Sequence, residues 1–335
     1  MGENLDGFVQ NDENESNDAT SAFSDIYKYT GRTMSFTLEK KRHEFLQNQK
    51  EKRKQAFDEK RDLVHFFGEE GPELMECDAP NRRRSRKKVP FGYKLMGSEW
   101  FTEVPDDFQE NWIIKLCPEG IRYLVVANKG ITTCYYRNGR ISFKFKSKLP
   151  GGNNEYAHKF TVLDCIYNKT TNTLFVYDVL AWNSVSLLHA EAHMRFFWIK
   201  SKFEENPEMC EINSQKNFNF VVMDYLPAEC SIVQDKLFMP FIVNDTKVPF
   251  DGILFYHREG HYVFGRSPLV GWLKTFMIPE ILHIDVDSSH LCSKPEDYQS
   301  IQQYLASKKK RKEEIPDSVD MEEILEMESI DCDNV

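Results

Sequence analysis

The residues Cys117-Pro118-Glu119-Gly120-Ile121-Arg122-Tyr123 place a thiol, a carboxylate, a turn glycine and a guanidinium within seven positions of one strand-turn. A thiol there is a nucleophile only as the thiolate, which needs a neighbour that lowers its pKa. Lys115 is the one cation close in sequence, and a lone lysine on a strand is expected to be solvated. Cys117 therefore reads first as an inert strand residue, and no catalytic residue is assigned. The other chemistry-bearing positions are Trp272 at the end of an apolar run, Trp100 beside Ser98 and Glu99, and Arg137 in a Tyr-Arg-Asn-Gly turn. Trp112, Trp182 and Trp198 read as core residues. The eight cysteines are scattered with no CxxC pair, so neither a zinc site nor a thioredoxin motif is supported, and no metal or cofactor is expected. Single cysteines suit a reducing cytosol or nucleus.

These residues need strands to hold them. Tyr123–Ala127, Phe160–Tyr167, Thr173–Leu180 and Asp251–His257 read as buried strands, with Asn168–Asn172 a polar hairpin turn. Phe196–Ile199 reads as a further strand, with the basic cluster Arg195 to Lys202 on or beside it. Gly151–Asn154 and Ser214–Asn219 read as loops. The pattern predicts an α+β fold with a largely antiparallel sheet, spanning residues 92–304.

The flanks differ in composition. The net charge of -10 conceals segregation: residues 1–26 carry seven acids and no Lys or Arg, residues 28–61 eleven bases against five acids, and residues 313–335 ten acids and no base. An acidic chain excludes broad-surface nucleic-acid binding, so any RNA contact should be local to a pocket. Residues 1–26 are expected to be disordered, and within them Met1, Leu5, Phe8 and Val9 form a sparse apolar series, either scatter or an export-type signal. Residues 37–66, within a unit at 27–66, read as one long helix with Thr37 as N-cap. Phe45 and Leu46 recur eleven residues later as Ala56 and Phe57, a stripe too thin for a core-facing helix. The helix is thus expected to stand apart from the globular part. It is either solvated or a basic element that folds inside an acidic partner. Residues 67–91 form a linker whose run at 82–88, like the one at 308–312, is either solvated or an RNA or localisation patch. Residues 305–335 read as a disordered tail. No run is apolar enough for a membrane span, and nothing calls for oligomerisation beyond a monomer.

Four segments, in order, resemble the guanylyl-transferase and ligase superfamily. Cys117–Tyr123 resembles Lys-x-Asp-Gly-x-Arg-Tyr, and Val162–Cys165 with Phe175–Leu180 resembles the Leu-Asp-Gly-Glu strand and its successor. Asp251–Phe255 resembles a third motif, and Leu269–Lys274 resembles Leu-Leu-Lys-Trp-Lys. In those enzymes the first lysine amine forms a covalent nucleotide intermediate. Here Cys117 stands at that position, Cys165 and Ile166 replace Gly and Glu, and Gly271 replaces the first lysine of the last motif. The resemblance thus implies a nucleotide-binding scaffold without the reaction.

More closely, Ser98–Trp100, Leu149–Asn153, Leu163–Asn168, Asp251–His257 and Ser267–Leu273 resemble the snurportin family of import adaptors. That resemblance implies binding of a 2,2,7-trimethylguanosine cap on spliceosomal small nuclear RNA. It implies importin β binding by the basic helix through Lys40, Lys41, Arg42, Phe45, Leu46, Lys50, Lys52, Arg53, Lys54, Phe57, Lys60 and Arg61. It also implies an export receptor for the N-terminal series and shuttling between cytoplasm and nucleus. The N7-methylated guanine is cationic, so an indole is its best face-to-face platform. Trp272 takes that role, Trp100 and Ser98 the pocket rim, Cys117 leaves room for methyl groups, and Arg137 offsets the cap phosphates.

Overall fold

The computed structural model describes residues 31–62, 91–210, 218–291 and 293–313. The elements in chain order are α1 (Gly31–Asp62), β1 (Met96–Trp100), α2 (Phe108–Asn111), β2 (Trp112–Pro118), β3 (Ile121–Asn128), β4 (Ile131–Tyr135), β5 (Ile141–Phe145), β6 (Phe160–Asn168), β7 (Thr173–Trp182) and β8 (Val185–Ser186). They continue with α3 (Ala192–Glu205), β9 (Asn219–Val222), β10 (Leu226–Pro227), α4 (Cys230–Phe238), β11 (Ile242–Val243), β12 (Thr246–Lys247), β13 (Phe250–His257), β14 (Gly265–Lys274), α5 (Ile278–Leu282) and α6 (Ile301–Glu313).

Two sheets carry the domain. One has the order β1-β14-β13-β2-β10, and the other β5-β4-β3-β6-β7-β8 with β9 beside β7. Among the described residues only the β1/β14 and β7/β9 pairs are parallel, so the expected α+β, largely antiparallel arrangement is what the chain forms. The β6–β7 hairpin turns at 169–172, as expected. Alternation along β2 sorts its side chains between two cores: Ile113 and Cys117 join Leu124, Val126, Phe175 and Tyr177 of the other sheet, while Ile114 and Leu116 face the opposite way. The first group fills the space between the sheets. The second packs under α4, α5 and α6. A third cluster, with Ile199 and Phe203 of α3, covers the far side of the second sheet.

Several expectations are corrected. Phe196–Ile199 is helical, because Ala192, Arg195, Phe196, Ile199 and Phe203 are buried at 3.6-residue spacing and the apolar run is only one part of that stripe. Trp198 is consequently exposed rather than core, while Trp112 and Trp182 are buried as expected. Lys115, expected in solvent, is wholly buried. Helix α6 spans the expected boundary at 304: Ile301, Tyr304 and Leu305 pack on the outer core, so residues 305–313 are helical rather than tail. Residues 1–30, 82–88 and 314–335, which hold the export-type series, the first basic run and most of the acidic tail, lie outside the described residues.

Helix α1 begins at Gly31, so Thr37 lies inside it rather than capping it. Nor does it stand apart: it lies on the domain. Arg42 stacks over Trp112 and Phe101 with its guanidinium carbon 5.1 and 5.7 Å from the ring centroids. Leu46 and Gln49 are buried, and Gln49 Oε1 accepts from the His261 backbone N–H at 3.1 Å. Lys41 pairs with Glu99 at 2.7 Å, Lys50 with Glu259 at 2.7 Å and Arg53 with Glu191 at 3.1 Å. The docked face follows positions 42, 46, 49 and 53, a helical stripe invisible to hydrophobic patterning because only one of its four members is apolar. Burial of one Leu contributes about 2 kcal/mol and each half-exposed ion pair about 0–1 kcal/mol. Gln49 Nε2, buried with no hydrogen-bond partner, offsets about 1–3 kcal/mol of this.

Candidate nucleotide site

The candidate cleft lies at the Pro118 end of β2, where strand pairing brings together two residues named from sequence. Trp272 pairs with Leu254 across β14/β13, and Gly252 of β13 stands opposite both Lys274 and Cys117. A Cβ placed on Gly252 would lie 2.6 and 2.8 Å from Cη2 and Cζ2 of Trp272. The indole therefore lies across Gly252, next to the Cys117 strand, and only glycine provides the seat. Trp272 is half-buried and packed on the inter-sheet core. Sequence reasoning missed Gly252, although a glycine inside an otherwise apolar strand signals such a close approach.

Cys117 is buried, and its thiol is pushed up to about 12, first by burial and then by the Asp251 carboxylate. It is a neutral thiol at physiological pH. Lys115, on the same face two residues earlier, donates to the Tyr177 carbonyl and lies 3.7 Å from the Phe196 ring centroid. Burial brings its pKa down to about 7. The Tyr177 hydroxyl donates to the Leu116 carbonyl at 2.6 Å. Lys115 thus ties β2 to β7 rather than activating Cys117.

Arg122, the guanidinium of the strand-turn, is held internally. Its Nε and Nη2 reach Asp164 at 2.9 and 2.6 Å. The Tyr262 hydroxyl donates to the same carboxylate at 2.9 Å and accepts from the Met96 N–H at 3.0 Å. This chain runs from β3 through β6 to the start of β1 and joins the two sheets. A second buried pair, Asp178 and Arg195, meets at 2.8 and 2.9 Å, and Arg195 Nη1 also donates to the carbonyls of Ala190 and Gly260. Arg195 makes four hydrogen bonds, which offset the cost of burying its charge, while Arg122 makes two and keeps part of its side chain in solvent. Neither was expected, because partners 42 and 17 positions apart leave no local sequence signal.

The remaining sequence-named residues are spread more widely. Ser98 is half-buried opposite Ser267. A bulge between Ser98 and Glu99 reverses the alternation of β1, so Trp100, although paired with Trp272, packs against the outer core. There it meets Tyr304 of α6 edge-on, with centroids 5.9 Å apart. Arg137 is exposed in the β4–β5 turn, where its carbonyl accepts from the Tyr93 N–H at 2.7 Å. Gly271 has a steric cause: a Cβ there would run into the Phe101 ring, which is stacked on Phe255 at 4.1 Å. Cys165 and Ile166 are buried packing residues. On α1, Lys40, Lys52 and Lys54 are exposed, Phe45 is half-buried, and Phe57, Lys60 and Arg61 fall in its last turns.

Two packed sheets, with a half-buried indole seated on a glycine beside a neutral thiol, make up this α+β domain. Residues 94–275, more than half of the chain, match the family model described as Snurportin1, m3G cap-binding domain, and the chain belongs to that family. Among solved structures it is similar to the ligase domain from M. tuberculosis LigD, at 15% identity and a TM-score of 0.37, over 55% of this chain and 59% of that one. It is likewise similar to Chlorella virus DNA ligase-adenylate, at 12% identity and a TM-score of 0.34, over 54% and 67%.

Proposed function

We propose that the cleft binds the 2,2,7-trimethylguanosine cap of small nuclear RNA and that the chain is a non-enzymatic nuclear import adaptor linking the capped particle to importin β. The observation that carries this is Trp272 laid over Gly252 beside the uncharged Cys117. The N7-methylated guanine is a cation with two faces. An indole attracts it through the ring quadrupole, and a thiol in place of an ammonium adds no repulsion. Methylation of N2 removes hydrogen-bond donors, so recognition relies on shape and apolar contact. Ser98 lies at the cleft edge, Arg137 serves the cap phosphates from its exposed turn, and Trp100 acts from beneath β1 by holding the strand that carries Ser98. Replacing Trp272 with Ala should lose cap binding while the melting transition is kept; unchanged cap affinity would refute the platform.

The absence of a nucleophile supports the non-enzymatic reading. A thiol titrating at about 12 provides almost no thiolate at neutral pH, and Lys115 points into the core. The chain should not become covalently labelled by radiolabelled GTP with magnesium.

For import, the basic helix α1 serves importin β, with Lys40, Lys41, Arg42, Lys50, Lys52, Arg53, Lys54, Lys60 and Arg61 giving charge and Phe45, Leu46 and Phe57 anchoring. The part-exposed ion pairs that seat α1 support this, because a partner with more acids can draw the helix away from Glu99, Glu191 and Glu259. Charge reversal of Lys50, Lys52, Arg53 and Lys54 to Glu should abolish importin β capture. For the return, Met1, Leu5, Phe8 and Val9 serve an export receptor, and the chain shuttles between cytoplasm and nucleus. Substituting these four with Ala should trap it in the nucleus.

A further inference from the structure

A second groove lies away from the Trp272 cleft. It is a cavity of about 290 Å³ between α3 and β10, floored by Trp112 and Ile113 and walled by Met194, Phe197, Tyr225 and Arg258. Its apolar side chains are open: Phe197 is 61% exposed and Tyr225 36%, with Met194 at 52%. Trp198 continues the surface along α3, with the Lys202 ammonium 5.1 Å from its ring centroid. Contiguous exposed rings of this kind mark a contact site.

Charge selects the occupant. The groove lining holds two groups able to carry charge, Arg258 and His193, and no acid. His193 is engaged, its Nδ1 3.0 Å from the Arg258 carbonyl and 3.7 Å from Glu191. The Arg258 guanidinium is exposed and has no acid partner among the described residues. Open rings that can each take a base, with a free guanidinium for a phosphate, are the elements of a single-stranded nucleic-acid site. The distance fits as well: Ile113 of the floor and Cys117 of the cleft lie on one strand, β2, four residues or roughly 13 Å apart at strand rise.

We propose that this groove holds the single-stranded RNA that follows the cap, stacking a base on Phe197 and Tyr225 and pairing a phosphate with Arg258. The proposal rests on the cap-binding reading for its capped ligand, and the test separates the two. Fluorescence anisotropy would compare the trimethylguanosine cap dinucleotide, a capped RNA oligomer long enough to reach the groove, and the same oligomer uncapped. The full chain would be used as wild type, Phe197→Ala and Arg258→Glu, both at exposed positions.

The capped oligomer should bind the wild type about 5- to 150-fold more tightly than the dinucleotide, the scale of one stacked base. Phe197→Ala should remove most of that gain. Arg258→Glu should remove part of it and reduce the salt dependence by about one phosphate contact. Both variants should keep the dinucleotide affinity. A wild type that gains nothing from length, or variants that keep the full gain, would overturn the groove. So would loss by the variants of a protein component of the particle with RNA affinity unchanged, because that would make the groove a protein surface. If the dinucleotide fails to bind while the uncapped oligomer binds and depends on Phe197, the cap reading falls and the groove stands.

Discussion

Replacing Gly252 with Ala is a one-carbon test of the cleft. The new Cβ would meet the Leu273 carbonyl oxygen and two atoms of the Trp272 ring at 2.6 and 2.8 Å, all inside normal contact. The carbonyl belongs to a central sheet strand and cannot retreat, since β14 is paired on both sides by β1 and β13. The indole must therefore swing away or the strands must part. Overpacking of this kind costs about 1–3 kcal/mol. In a domain of this size that is a fall in melting temperature of roughly 2–12 °C, at about 2–4 °C per kcal/mol. The cap loses its platform as well, and stacking worth about 1–3 kcal/mol corresponds to a roughly 5- to 150-fold weaker affinity. Near-ultraviolet circular dichroism would follow both the melt and the tryptophan environment, and fluorescence titration would give the cap affinity. A Gly252→Ala, Trp272→Phe double variant should recover part of the stability, because the smaller ring makes room, but none of the binding. A Gly252→Ala protein that melts with the wild type and keeps its cap affinity would refute the placement of the indole.

Three further outcomes follow from the buried groups. Arg195→Met leaves Asp178 charged and unpaired in the core and should cost about 3–5 kcal/mol in urea unfolding, most of it recovered in Arg195→Met with Asp178→Leu. His261, which meets Gln49 of α1, is held down to about 4 from 6.5, chiefly by burial and then by Arg53, His189, Arg195 and Lys50. Release of α1 removes its share of that burial and the Arg53 and Lys50 charges, so the released state binds more protons above about pH 4, and α1 docking weakens as pH falls toward that value. Hydrogen-exchange protection factors in α1, normalised to the intrinsic base-catalysed rate, should be lower at pH 5 than at pH 7, and His261→Asn should flatten the difference; protection that rises at low pH would contradict the sign. The thiols of Cys117, Cys134 and Cys165 are buried and raised, so native protein at neutral pH should be alkylated at exposed Cys210 and spared at these three by mass spectrometry.

What could be read in advance divides along physical lines. Runs such as Phe160–Tyr167 and Asp251–His257 are buried on both faces, so their apolar content alone announces strands, and the polar 168–172 turn announces the hairpin. The α3 segment deceived because its centre, Phe196–Ile199, is a short apolar run. Only the flanking Ala192 and Phe203 reveal the helical period. The docked face of α1 was hidden for a related reason: Arg42, Gln49 and Arg53 are held by rings, a backbone amide and a glutamate, partners that periodicity does not weigh. In the cleft, Trp272 was legible from its motif, yet its seat on Gly252 depends on strand register. The bulge at Ser98/Glu99, which turns Trp100 to the outer face, depends on backbone geometry with no mark in residue type.

The central claim is a cleft in which Trp272 holds a methylated guanine, and tryptophan fluorescence during titration tests it most directly. The account predicts quenching that saturates at much lower concentration with the trimethylguanosine cap dinucleotide than with the monomethyl form, and that disappears in Trp272→Ala. Absence of quenching by either cap, or equal quenching with Trp272 removed, would contradict it.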